Sequence, residues 1–275
     1  MSPRRRPSVR ATGRRLPVIA IALAAVAVAF FALPFVGLLW RAPWRDAGAL
    51  LHTSDALNAL RLSIICSLWS TALSIVFGVP LAWLLATTTF PGRTIVRALC
   101  TLSMVLPPVV GGVALFFALG RRGLVGQWLY NWFEIRLPFT MAAVVIAQTF
   151  VAMPFLVLTV ESALRQLDPR FEDAARTLGA TRWYAFRRVT IPAMRPALIA
   201  GSVLAWARAL GEFGATITFA GNFPKTTQTL PLLTYLKLES NPPEAIVISL
   251  VLVAVSFVVL LALRDRWLGG VAPRG

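Results

Sequence analysis

Six apolar runs separated by polar stretches set the pattern of this 275-residue chain: Leu16 to Trp40, Leu62 to Ala86, Ala98 to Gly120, Leu137 to Val160, Pro196 to Ala220 and Ala245 to Leu263. Each comes close to or exceeds the roughly 20 helical residues that cross a hydrocarbon core of about 30 Å. The runs are continuous rather than alternating with period two, and backbone polar groups in lipid need internal partners, so helices are predicted and barrel strands are not. The pattern therefore predicts an all-α membrane protein of six transmembrane helices. It divides into a basic tail over 1–15, a first span and outer loop over 16–53, a transmembrane core over 54–265 and a second tail over 266–275. The first run is too long for a signal core and is followed by Leu-Leu-Trp-Arg rather than a small-residue exit, so it reads as a retained span.

Two interruptions of the pattern carry information. Residues Leu106 to Gly112, LPPVVGG, place two prolines and two glycines at the start of the third run. Each proline removes a backbone donor, and such weakened helices survive in a membrane where protein or a wet cavity surrounds them. Pro107 and Pro108 thus stand either for an ordinary kink or for a lining of a pathway. The second interruption is the charged stretch Phe171 to Pro192 between the fourth and fifth runs. Asp168 is placed as N-cap, Pro169 as first helical residue, and Glu172 and Asp173 lie in the electropositive first turn. Gly179 suits the helix end, and Thr181 can cap a second, interfacial helix, WYAFRR. The polar segments 120–128 and 221–244 read as outer loops, available to a docking partner.

Composition agrees: 57% of residues are hydrophobic and mean hydropathy is +0.73, which belongs to the membrane class. The net charge of +16 would suggest nucleic acid if it lay on one soluble face. With the N-terminus inside, however, 18 basic residues fall on the cytoplasmic side and 7 outside, with Arg61 and Arg208 in spans. That is the positive-inside bias, so the charge orients the chain and puts both termini in the cytoplasm, with anionic lipid as a lesser partner of the N-terminal arginines and no role for nucleic acid. Cys66 and Cys100 lie in or beside spans and suggest neither disulfide nor metal site, and the residues imply no cofactor.

Arg208 sits near the middle of the fifth run, and Glu212 follows one turn later on the same face. Alone, either charge would be costly in lipid. The pair can line or gate a polar route or clasp helices, and Thr216 offers a hydroxyl nearby. Gly201, Ala205 and Ala209 form a small-residue line that permits close helix packing.

Asp173-Ala174-Ala175, three residues, Gly179, nine residues and Val189-Thr190-Ile191-Pro192 resemble the EAA loop of ABC importer permeases, EAA-x3-G-x9-I-x-L-P. Asp173 replaces Glu, with Glu172 beside it, and Val189 and Ile191 replace Ile and Leu. The segments 106–126, 207–222 and 227–235 are similar to the molybdate permeases, with sulfate and thiosulfate permeases as close relatives; tungstate is an equally tetrahedral dianion. The resemblance implies a MetI-like permease fold with a cytoplasmic coupling helix between spans four and five. It also implies that Glu172, Asp173, Ala174, Ala175 and Gly179 engage an ATPase. The implied partners are two ABC ATPase subunits, a second copy of the chain and an extracytoplasmic oxyanion-binding protein, in a cytoplasmic membrane.

Energetics fit that expectation. An interior-negative potential opposes entry by about 2.3 kcal/mol per charge per 100 mV, and a dianion faces roughly twice that. The spans hold only Glu212 deep inside and Glu161 at an edge, which gives proton coupling little support. No G-x-x-x-x-G-K-[ST] occurs, so ATP hydrolysis belongs to another chain and this one is not an enzyme. A membrane anchor of a redox enzyme would need histidine ligands, and the single His52 lies outside the spans.

Overall fold

The computed structural model describes residues 18–168 and 170–268; the side chains of Glu172, Asp173, Arg176, Arg182, Leu260 and residues 262–268 lie outside that description. Pro169, the tail 1–15 and most of the tail 266–275 therefore fall outside it too. The described residues are helical throughout their regular structure, without strands.

Two units are distinct. The first holds helix α1 (Val18–Arg41), apolar along 24 residues with Pro34 inside. The second begins at Pro43 and contains everything else. Its short α2 (Ala47–Leu51) leads to α3 (Ser54–Thr87), whose N-terminus is capped by Thr53 Oγ1 accepting from Ala56 N at 3.3 Å. At 34 residues α3 is about 50 Å long, so its two ends lie on opposite sides of any bilayer it crosses. The helices α4 (Arg93–Val105), α5 (Pro108–Leu119), α6 (Gly126–Phe133) and α7 (Met141–Gln166) follow.

Next come α8 (Arg170–Thr177), α9 (Arg182–Ala185), a π-helical turn (Phe186–Thr190), α10 (Ile191–Ala193), α11 (Arg195–Leu210), α12 (Gly214–Phe219), α13 (Leu230–Ser240) and α14 (Pro242–Leu268). Among the described residues four helices, α1, α3, α7 and α14, are long and apolar enough to cross a membrane. A fifth forms if the segment Trp183–Ala193 and α11, bent by 69°, count as one span. Pro192 and Pro196 bracket the bend at Met194, each removing a donor there.

Two of the six runs are thus not single helices. The third divides at Leu106-Pro107, where Pro107 becomes the N-cap and Pro108 the first residue of α5, a position at which the missing N–H is not needed. The fifth divides at Gly211–Phe213. The segment 221–244 also differs from a plain outer loop, because it contains α13. Leu230, Leu232 and Leu233 are buried there, and the Leu230 amide donates to Ser63 Oγ at 2.7 Å.

The core is built from α3, α7 and α11, and small residues bring these helices together. Ser63, Ser67, Ser70 and Ser74 bury one stripe of α3, and Ser67 Oγ accepts from Trp206 Nε1 of α11 at 2.9 Å. Gly201, Ala205 and Ala209 do pack inward: a Cβ on Gly201 would lie 3.4 Å from Leu156 Cα of α7. Closest of all is the crossing of α5 and α12. A Cβ on Gly112 would fall 1.7 Å from Thr218 Oγ1 and 2.7 Å from the Ala215 carbonyl oxygen, and one on Gly214 would fall 2.8 Å from Pro108 Cβ.

Because a backbone carbonyl as well as a side chain blocks Gly112, Gly112→Ala is expected to destabilise the purified protein by about 1–3 kcal/mol, the range for overpacking. Removing the blocking side-chain atom with Thr218→Ala in the same chain should not restore it, because the Ala215 carbonyl still stands in the way. Thermal unfolding in detergent, read by tryptophan fluorescence, checks both.

Candidate functional site

Three clusters of polar groups stand out in the second unit. The first lies at the break between α11 and α12. Glu212 is 1% exposed, and its Oε1 accepts from Ala215 N at 2.9 Å, capping the first turn of α12. Its other oxygen, Oε2, is 2.6 Å from Arg208 Nη1, a close ionic contact that is not aligned as a hydrogen bond. The Arg208 side chain is itself 29% exposed. One carboxylate therefore serves two ends, satisfying an orphan amide and holding a guanidinium at the end of α11. Thr216 is fully buried, and its Oγ1 has no hydrogen-bond partner among the described residues.

The other expected pathway residues join this cluster. Pro108 packs on Gly214, and Thr218 Oγ1 donates to the carbonyls of Gly214 at 2.9 Å and Val109 at 3.4 Å. Two helix breaks, at Pro107-Pro108 and at Gly211–Phe213, are thus brought side by side. Pairing two interruptions limits the number of places where unpaired backbone must be sheltered.

The second cluster was only half visible in the sequence. Glu161, at 4% exposed, receives Arg165 through Nε at 3.0 Å and Nη2 at 2.8 Å, and also pairs with Arg97 of α4. Arg165 Nη2 further donates to Leu85 O at 3.2 Å, as does Arg93, so two arginines cap the C-terminus of α3. The i,i+4 spacing of Glu161 and Arg165 is a signal that could have found one pair, although from sequence Glu161 is placed only at a span edge; nothing local pointed to Arg97. A similar clasp at the opposite end of α3 escaped sequence reasoning altogether. Glu244, 2% exposed, accepts from Thr53 Oγ1 at 3.2 Å and Asn241 Nδ2 at 3.0 Å, and pairs with Lys237 at 2.8 Å.

The third cluster is the segment after α7. Asp168 Oδ1 accepts from Arg170 N at 3.0 Å, as an N-cap should. The backbone of Glu172, Asp173, Ala174 and Ala175 lies in α8, and the side chains of Glu172 and Asp173 lie outside the described residues. Gly179 has φ +87°, and Ala180 N donates to Ala175 O at 3.1 Å, the closing bond of a Schellman turn that favours glycine at this φ. Thr181 Oγ1 accepts from Tyr184 N at 3.2 Å and opens α9, as expected. The expected interfacial helix continues, however, through the π-helical turn to Ala193 instead of ending at Arg188.

Outward from this segment point Phe171, Leu178, Trp183 and Tyr184, all exposed, with Leu178 at 89%. Inward, Phe186 packs edge-on against Trp83 of α3 at 5.5 Å, and a cavity of about 130 Å³ separates Phe171 and Asp168 from Thr190 and Ala193. A capped helix with an apolar, exposed crest can be gripped by a protein surface. Among the described residues no group of three His, Cys, Asp or Glu side chains could hold a metal ion.

Residues 74–274 match the model of a family described as binding-protein-dependent transport system inner membrane component. The molybdenum transport system permease protein ModB of Mycobacterium tuberculosis is 44% identical over 241 residues, covering 87% of this chain and 90% of that protein. The sulfate transport system permease protein CysT of Escherichia coli is 36% identical over 222 residues, covering 80% of each. In three dimensions the chain superposes on a bacterial ABC transporter involved in import of the acidic polysaccharide alginate, with a TM-score of 0.68 at 18% identity, covering 90% of this chain and 93% of that one.

Truncating Glu161 leaves two arginines without a counter-charge. Because those arginines are 39% and 43% exposed, Glu161→Ala is expected to cost roughly 1–3 kcal/mol, below the full penalty of a broken buried pair. A double-mutant cycle with Arg97→Ala, followed by thermal unfolding, should return a favourable coupling.

Proposed function

The chain belongs to the family of binding-protein-dependent transport system inner membrane components, and from that premise we propose that it is the permease of an ATP-driven molybdate importer. The observation that carries the cargo is the 44% identity to a molybdenum permease across nearly the whole chain. Sulfate is the second reading, supported by the 36% identity to a sulfate permease.

In this proposal all six apolar runs cross the cytoplasmic membrane, both termini face the cytoplasm, and the third and fifth spans cross as broken helices. Two copies surround the anion path, each resting on one ATPase subunit. Glu172, Asp173, Ala174, Ala175 and Gly179 form the coupling segment, with the exposed Leu178 beside them entering the ATPase. ATP-driven closure of the ATPases draws the two segments together and tilts the bundles to face outward; hydrolysis reverses the motion. An extracytoplasmic binding protein selects the dianion and delivers it to the outer segments. Arg208 lines or gates the route, and Glu212 holds its guanidinium and keeps the anion from being trapped. Pro107, Pro108 and Thr216 belong to the same gate because the two helix breaks meet there.

The cargo is tested with proteoliposomes holding this chain, its ATPase and its binding protein. Molybdate-loaded binding protein should stimulate ATP hydrolysis more than the sulfate-loaded form; the reverse order would move the assignment to sulfate. In the same vesicles Arg208→Gln should slow uptake at least tenfold while the complex still assembles. Glu212→Gln keeps an oxygen for Ala215 N but frees the guanidinium, so uptake should fall with a lower apparent KM for the anion. Unchanged uptake in both variants would reduce the pair to a structural clasp.

A further inference from the structure

Between α5 and α7 the chain turns through residues 120–137, which carry Arg121, Arg122 and Arg136 against a single acid, Glu134. Two of these cations converge. Arg121 Nη2 donates to Tyr130 Oη at 3.0 Å and Arg136 Nη2 donates to the same oxygen at 3.3 Å. Their guanidinium carbons stand 4.2 and 5.1 Å from the centroid of the tyrosine ring. Among the described residues neither arginine has a carboxylate within ion-pair distance. A neutral phenol is a weak counterpart for two positive charges, whereas an anion with several oxygens could engage both forks at once.

What lies beside the arginines narrows the anion. Trp128 and Trp132, one turn apart on α6, pack edge-on at 5.5 Å and remain 54% and 70% exposed, and Leu124 and Phe133 are exposed with them. Exposed tryptophans next to cations mark the headgroup zone of a bilayer, and α6 has the amphipathic character of a helix lying in that plane. The segment also sits where the chain leaves the apolar α5 and has not yet entered α7. A site for a free dianion would gain nothing from an open apolar flank; a site for a lipid would.

We propose that Arg121, Arg136 and Tyr130 bind the phosphate of an anionic phospholipid, with Trp128 and Trp132 against its glycerol and upper acyl region. The proposal rests on the membrane-crossing reading of the flanking helices and is independent of the transported cargo. The bound lipid fixes the 120–137 segment at the bilayer rim.

The test uses the full chain in nanodiscs of phosphatidylcholine alone or mixed with phosphatidylglycerol. Phosphatidylglycerol should raise the thermal midpoint of the wild type, and native mass spectrometry should find retained phosphatidylglycerol. Arg121→Gln with Arg136→Gln should lose both effects, while the paired lysine variant keeps the charge without the planar fork and should retain part of them. If the glutamine pair fails to incorporate, Arg136→Gln alone is measured and should show a reduced gain. An equal response of the glutamine variants to phosphatidylglycerol would overturn the proposal. So would a gain of the wild type in pure phosphatidylcholine on adding sulfate or molybdate that the variants lose, since the site would then take a free dianion.

Discussion

A helix broken at membrane depth exposes amides that lipid cannot satisfy, and a carboxylate at that depth exposes a charge that lipid cannot solvate. Between α11 and α12 each problem answers the other. Glu212 Oε1 takes the Ala215 amide at 2.9 Å, while Oε2 lies 2.6 Å from Arg208. Remove the break and the carboxylate loses its hydrogen-bond donor; remove the carboxylate and both an amide and a guanidinium lose their partner. The arrangement is stable as a set and costly in any part.

Glycine is the second ingredient. Gly112 and Gly214 let α5 and α12 approach to a distance at which any side chain would strike backbone or ring atoms, so the short α12 is held by backbone proximity rather than by apolar bulk. With only six residues in α12, few side chains could do that work alone. Thr218, donating to Gly214 and Val109 carbonyls, supplies the polar stitch across the same crossing.

Much of this was legible in the sequence. Run length and continuity gave helices, and the caps and glycine turn of the segment after α7 were readable nearly to the residue because Asp168, Gly179 and Thr181 act on neighbours within the same turn. What stayed hidden depended on contacts distant in the chain. The apolar run 196–220 gives no sign that Gly211 ends a helix, because hydropathy does not register a break whose amides are met by a side chain within it. Likewise Thr227 and Leu230 look like loop residues, and their burial is met by contacts that sequence does not show, Thr227 Oγ1 accepting from Phe223 N and the Leu230 amide donating to Ser63 on α3. Glu244 could not be paired with Thr53 across 191 residues of chain.

The distribution of clasps along α3 bears on how force would travel in the proposed mechanism. Its C-terminal end is held by Arg93 and Arg165 on Leu85 and by Trp83 against Phe186; its N-terminal end is held through Thr53 to Glu244. Helix α3 is thereby fixed at both ends, and a displacement of α8 cannot be absorbed by letting it slip. The path left is along the chain itself, through the π-helical turn, the 69° bend at Met194 and α11 to Arg208. Both interruptions on that path are places where helical hydrogen bonding is already altered, and so are the cheapest sites for a change in angle. In the proposed mechanism the segment after α7 and the Arg208–Glu212 pair would be two ends of one lever, turning about the line where Gly201, Ala205 and Ala209 pack inward and Gly201 lies close to α7.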